Sequence, residues 1–159
     1  MSAQEPTTAR RLVTDVPGLL QHAGEELGAT EWRTMTQDLV NRFADVTEDH
    51  NFIHVDPERA RQTPFSGTIA HGYLTLSLLA PFLAELLKVE GASTSINYGL
   101  NKLRFPAPLP VGAQFRARAT LTEATNIPGG VQITVLATVE VRDQEKPALV
   151  AECLFRHYS

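Results

Sequence analysis

Residues 71–88 read HGYLTLSLLAPFLAELLK, and this stretch decides the fold. Its apolar residues, Tyr73, Leu74, Leu76, Leu78, Leu79, Phe82, Leu83, Leu86 and Leu87, cover every face of a 3.6-residue period. The spacing predicts one main helix over 71–88, buried all round. Pro81 has no N–H to bond the carbonyl of Ser77, so a kink is expected there. The uncharged apolar run 72–84 is too short to cross a bilayer and suits a core helix.

Toward the C-terminus the period changes from helical to alternating after Gly91. Ile96, Tyr98 and Leu100 share one face, while Leu103 and Phe105 fall out of phase, which predicts a bulge near Asn101. Residues 106–112 form a turn-rich break. Phe115, Ala117, Ala119 and Leu121 then alternate with Arg116, Arg118 and Thr120. Pro128-Gly129-Gly130 reads as a hairpin turn into the cleanest strand, with Val131, Ile133, Val135, Ala137, Val139 and Val141 on one face. Residues 149–158 make the last strand. Helices followed by four long strands with short turns imply an α+β layout, an antiparallel sheet packed on one apolar helix.

Toward the N-terminus, residues 1–11 are polar and read as loosely attached. A short helix is expected over 16–24, with Gly24 and Gly28 as breaks, then a short strand over 30–34 around Trp32. A helix over 36–44 has Thr36 as N-cap, Asp38 in its first turn and Leu39, Val40 and Phe43 on its inner face. Asp56-Pro57 opens another short helix over 57–62. The domain reading is an N-terminal, partly helical extension over 1–28 and a single domain over 29–159, with no internal repeat or linker.

The chain has 159 residues with 43% hydrophobic content, enough for the core of one domain. Its formal net charge is −4 and its basic residues are scattered, Arg10-Arg11 being the nearest to a cluster, so nucleic acid is not an expected partner. The single cysteine, Cys153, excludes an intrachain disulfide and reads as a small buried hydrophobe. Residues 1–9 lack the apolar core of a signal peptide, and a cytoplasmic, non-membrane protein is the expectation.

Chemistry is concentrated in residues 47–54, Thr47-Glu48-Asp49-His50-Asn51-Phe52-Ile53-His54. A carboxylate and an imidazole this close can hold one water between them, one accepting its proton while the other supplies a proton to a substrate. A turn, in which Asp49 and Asn51 bond to nearby backbone, accounts for the same composition. A calcium loop does not, because His54 stands where the glycine is needed. Counting His50, His54 and His71 yields no zinc spacing, so no metal is expected. A second element, residues 65–72, opens the apolar helix with Gly72, where free N–H groups suit a developing oxyanion. Gly72 read alone serves close packing equally well, and His71 reads more readily as a structural histidine than as a substrate contact.

Residues 49–54 resemble the Asp-x-Asn-Pro-(Leu/Ile/Val)-His motif of MaoC-like, (R)-specific enoyl-CoA hydratases. Ile69-Ala70-His71-Gly72 is similar to that family's start of the central helix, and Arg104-Phe105 with Pro108-Leu109-Pro110-Val111-Gly112 to its strand-and-turn element. The branch related to nodulation protein N is the most alike, over residues 36–158. The resemblance implies a hot-dog fold, a long helix wrapped by an antiparallel sheet, assembled as a homodimer or dimer of dimers. It implies Asp49 and His54 as the catalytic pair, Asn51 orienting their loop, and the Gly72 N–H on the thioester carbonyl, with His71 beside it at the substrate. No cofactor is implied, since coenzyme A (or an acyl carrier protein) belongs to the substrate. Phe52 departs from the family's proline, and Ala80 stands where some members carry a serine. Two rivals remain: a hot-dog thioesterase, with Glu85 the only carboxylate on the long helix, and a non-catalytic acyl-thioester-binding subunit.

Overall fold

A computed structural model describes residues 11–159; the expectation of a loose segment over 1–11 lies, but for Arg11, outside the described residues. Four long strands, β5 (Thr94–Arg104), β6 (Gln114–Ile127), β7 (Gly130–Val141) and β8 (Leu149–Tyr158), pair antiparallel in the order β6-β7-β8-β5. The Pro128-Gly129 turn joins β6 to β7, with Gly129 at a positive φ of 80°. The bulge expected near Asn101 is present as a register shift between Leu100 and Lys102, and a second lies between Asn97 and Gly99.

The inner face of the sheet carries Phe115, Ala117, Ala119, Leu121, Ile133, Val135, Val139 and Ala151, all buried. The alanines leave room for the helix to approach, and Phe82 packs edge-to-face on Phe115 with centroids 5.7 Å apart. This is the hot-dog arrangement, helix within sheet.

The helix itself corrects the expectation. It is two segments, α4 (Gly72–Ser77) and α5 (Leu79–Leu86), broken at Leu78, and the chain is already extended from Leu87. The break falls one turn before Pro81 because the ring clashes with, and cannot donate to, the carbonyl four residues earlier, that of Ser77. Nor is the helix buried all round: Tyr73, Ser77, Ala80, Pro81, Ala84 and Glu85 are exposed along one stripe.

Residues 12–28 are no appendage. Strand β1 (Leu12–Asp15) pairs in parallel with β4 (Leu87–Glu90), and β2 (Glu26–Ala29) joins the main sheet beside β6. The expected helix over 16–24 is a single 3-10 segment, Pro17–Gln21, whose Leu19 is fully buried. Gly28, read as a break, sits inside β2 at φ 99°, next to a register shift in the pairing with β6. Strand β3 is only Arg33–Thr34. Helix α1 (Gln37–Thr47) follows, capped by the Thr36 hydroxyl accepting from the Leu39 N–H. Among the described residues no helix is long and apolar enough to cross a membrane.

Candidate active site

Helix α1 ends at Glu48, whose positive φ of 61° turns the chain back so that Asp49 follows. The Asp49 carboxylate accepts from the Asn51 N–H at 3.3 Å, and the Asn51 amide oxygen accepts from the Ile53 N–H at 3.3 Å. Asn51 is thereby the N-cap of the one-turn helix α2 (Phe52–Val55), which carries His54. The turn chemistry and the juxtaposition of Asp49 with His54 are thus one structure: the Asx turn is what presents the two side chains. Phe52, in place of proline, is held beneath the Arg59 guanidinium, 4.1 Å from its ring centroid. Asp56 caps α3 (Pro57–Ala60) as expected, accepting from the Arg59 N–H.

His54 is buried, and its Nδ1–H donates to the Ile69 carbonyl at 2.7 Å, leaving Nε2 as the acceptor. Burial pushes its pKa below the ordinary 6.5, aided by neighbouring His71; the Ile69 hydrogen bond and the Asp49 carboxylate pull upward without prevailing. The neutral form of the imidazole is thereby favoured.

His71, also buried, does not line the cleft beside His54. Its Nε2–H donates to the Asp49 backbone carbonyl at 2.9 Å, and its ring stacks on His54 with centroids 3.9 Å apart. It ties the Asp49 loop to the start of α4. His50 is turned outward to Asp45 at 3.0 Å, a hydrogen bond that raises its pKa.

One ligand atom each from Asp49, His54 and His71 lies within 4.8 Å of the others. The two rings stand only 25° from parallel, so their in-plane lone pairs lie in nearly parallel planes, whereas zinc needs lone pairs that converge tetrahedrally.

His54 faces a cleft of about 330 Å³ with Gly72, Thr75, Phe65, Phe105, Pro106 and Leu109. Helix α4 starts at Gly72, and the first N–H groups of a helix have no partner within it. A Cβ at Gly72 would meet the Phe105 ring at 3.0 to 3.2 Å, so close packing and an accessible N–H make the same demand. Thr75, buried and one turn after Gly72, also lines this cleft, and its hydroxyl donates to the His71 carbonyl at 3.4 Å. Ala80 instead lines two further cavities, of about 340 and 310 Å³, between the helix and β5/β8. Glu85, the carboxylate a thioesterase would need, is ion-paired with Arg33 and is absent from the lining of the His54 cleft.

Residues 19–144 match the family described as MaoC like domain. The chain is 50% identical over 148 residues to the 3-hydroxyacyl-thioester dehydratase Z of Mycobacterium tuberculosis H37Rv, covering 92% of this chain and 98% of that relative. It is 42% identical over 142 residues to nodulation protein N of Rhizobium leguminosarum bv. viciae, covering 87% and 86%. The solved structure of the (R)-hydratase from A. caviae involved in PHA biosynthesis aligns with a TM-score of 0.70 at 26% identity, over 84% of this chain and 94% of that one.

Proposed function

The chain belongs to the MaoC-like dehydratase family and is an enzyme of the hydro-lyase class, and we propose that it interconverts trans-2-enoyl thioesters and (3R)-3-hydroxyacyl thioesters through a water held by Asp49 and His54. The observation that carries this reading is the pairing of an Asp49 carboxylate oxygen with a His54 ring nitrogen, within 4.8 Å, beside a cleft that also holds Gly72.

In the hydration direction the water oxygen bonds to C3 and loses a proton to the pair, and C2 receives a proton from the pair on the same face. His54 Nε2, left as an acceptor by the Ile69 hydrogen bond, takes the water proton while the Asp49 carboxylate orients the water. As C3 is attacked, charge moves onto the thioester oxygen. The Gly72 N–H, at the positive end of α4, stabilises it. Dehydration is the reverse, with the C3 hydroxyl leaving as water. The acyl group arrives on coenzyme A or an acyl carrier protein, and no separate cofactor enters the step.

A homodimer, or a dimer of such dimers, is the assembly we propose. Among the described residues strand β5 lies at the sheet edge with one side unpaired, and Ile96, Tyr98 and Leu100 on it are 40%, 52% and 41% exposed. A second copy pairing edge to edge would cover them together with the stripe from Tyr73 to Ala84. Light scattering on purified protein checks the mass.

The activity test is hydration of crotonyl-CoA and longer 2-enoyl-CoAs, with the product's C3 configuration determined. Asp49→Asn and His54→Ala should each lower kcat by about 100- to 10,000-fold. Activity surviving both substitutions would overturn the mechanism, and release of free thiol without hydration would favour thioester hydrolysis instead.

A further inference from the structure

Gln37, the first residue of α1, has a role that neither its type nor its position announces. Its side-chain amide reaches two segments distant in sequence, at His54 and Thr68, as well as Asn41 one turn along its own helix. Nε2 donates to the His54 carbonyl at 2.8 Å and to Asn41 Oδ1 at 2.9 Å, and Oε1 accepts from the Thr68 hydroxyl at 2.6 Å. Both amide protons and the oxygen are thus engaged.

The residues it joins are one end of the hydrogen bond that sets the His54 tautomer and the chain neighbour of the other end. His54 supplies the ring, and Ile69, next to Thr68, supplies the carbonyl that takes the Nδ1 proton. The Ile69 N–H donates back to the Ile53 carbonyl at 3.0 Å, so the two segments run side by side with Gln37 closing one end. Thr68 is buried, and its own carbonyl is held by the Val111 N–H at 2.9 Å. Movement of the 68–69 segment relative to α2 would lengthen the bond that orients the imidazole.

We propose that Gln37 is a positioning residue for His54, clamping α2 to the 68–69 segment so that His54 stays in the Nδ1–H tautomer with Nε2 as the acceptor. This rests on the Asp49/His54 reading. Gln37 does not line the cleft at His54, so its effect is expected in kcat rather than in KM.

The test compares the wild type with Gln37→Met, which keeps the length and removes all three hydrogen bonds, and with Thr68→Val, which removes one arm without touching α1. Ring-nitrogen NMR of the ¹⁵N-histidine-labelled protein reads the His54 tautomer directly, and steady-state hydration assays read kcat and KM. Gln37→Met should mix the two His54 tautomers and lower kcat by about 100-fold, as misplacement of a reacting group does, with KM changed less than about twofold. Thr68→Val should produce the same changes to a smaller degree. An unaltered Nδ1–H tautomer in a folded Gln37→Met protein would overturn the proposal, as would an unaltered tautomer in Thr68→Val if Gln37→Met does not fold. A wild type with the Nδ1–H tautomer but no hydration of any enoyl thioester would defeat the functional reading alone, since the NMR arm still decides what Gln37 does.

Discussion

His54 and His71 are stacked in the interior, ring centroids 3.9 Å apart, and each ring spends one N–H on a backbone carbonyl: His54 on Ile69, His71 on Asp49. The ring that is to act on the water and the ring that anchors the carboxylate's backbone therefore hold one another. His71 Nδ1 is buried without a hydrogen-bond partner among the described residues, so what this side chain contributes is its Nε2–H and its flat face.

Replacing His71 by Phe should keep the stack and the contact with Phe43, whose ring centroid is 4.9 Å from that of His71, while releasing the Asp49 carbonyl. The expected outcome is a loss of kcat of about 100-fold from displacement of the Asp49 loop. Stability should fall by about 1 kcal/mol for the lost hydrogen bond. Urea unfolding and steady-state assays separate the two effects.

Gly72→Ala should lower activity because the new methyl group meets the Phe105 ring at 3.0 Å and pushes the helix start or the ring aside. Overpacking of this kind costs about 1–3 kcal/mol. Phe105→Leu combined with Gly72→Ala should recover stability relative to Gly72→Ala alone. A double variant no more stable than the single one would show that the ring contact is not the cause.

The pH dependence follows from His54. Its folded pKa is depressed by burial, so its neutral form persists below pH 6.5, and the acid limb of kcat/KM should lie below that value. His157, also buried, is depressed for the same reason. With folded values below the unfolded 6.5, both groups cost no stability above that pH. As the pH falls below it the unfolded chain takes up protons first, and stability declines until the folded pKa values are passed. Melting temperatures from pH 8 down to pH 5 check the sign, and His157→Phe should flatten the decline if it folds.

Cys153 is 4% exposed, and burial pushes its thiol up to about 11. It should resist a disulfide reagent at pH 8 in the native protein and react completely once the protein is unfolded, since the thiolate is the reactive form. Rapid labelling of native protein would contradict the burial.

Leu19→Ala tests whether residues 12–28 belong to the core. The side chain is fully buried, and truncation should destabilise the whole domain by about 2–5 kcal/mol in a single transition. A change of less than about 0.5 kcal/mol would return this segment to the status of an appendage.

Much of this architecture is legible in the chain. The alternation from Phe115 to Val141 marks β6 and β7 because a strand exposes its two faces by turns. The capping residues Thr36 and Asp56 sit where helices begin because their oxygens satisfy free N–H groups. The proximity of Asp49 to His54 is legible for the same reason: six residues and one Asx turn are enough to bring them together.

What the sequence by itself determined is therefore whatever depends on near neighbours: strand phase, helix caps, the tight turn at Gly129 and the local loop that carries Asp49 and His54. What only the tertiary structure decided depends on contacts between distant segments. Leu19 is a core residue because β6 and β7 lie against its segment, and Leu27 because β6 and α5 lie against β2, although their own short segments have no strong period. The long helix stops at Leu86 because β1 is available to pair with residues 87–90. Gln37 is bound to His54 and Thr68, 17 and 31 residues away, and no local pattern encodes such a bond, since its energy is gained only after the chain has closed those loops.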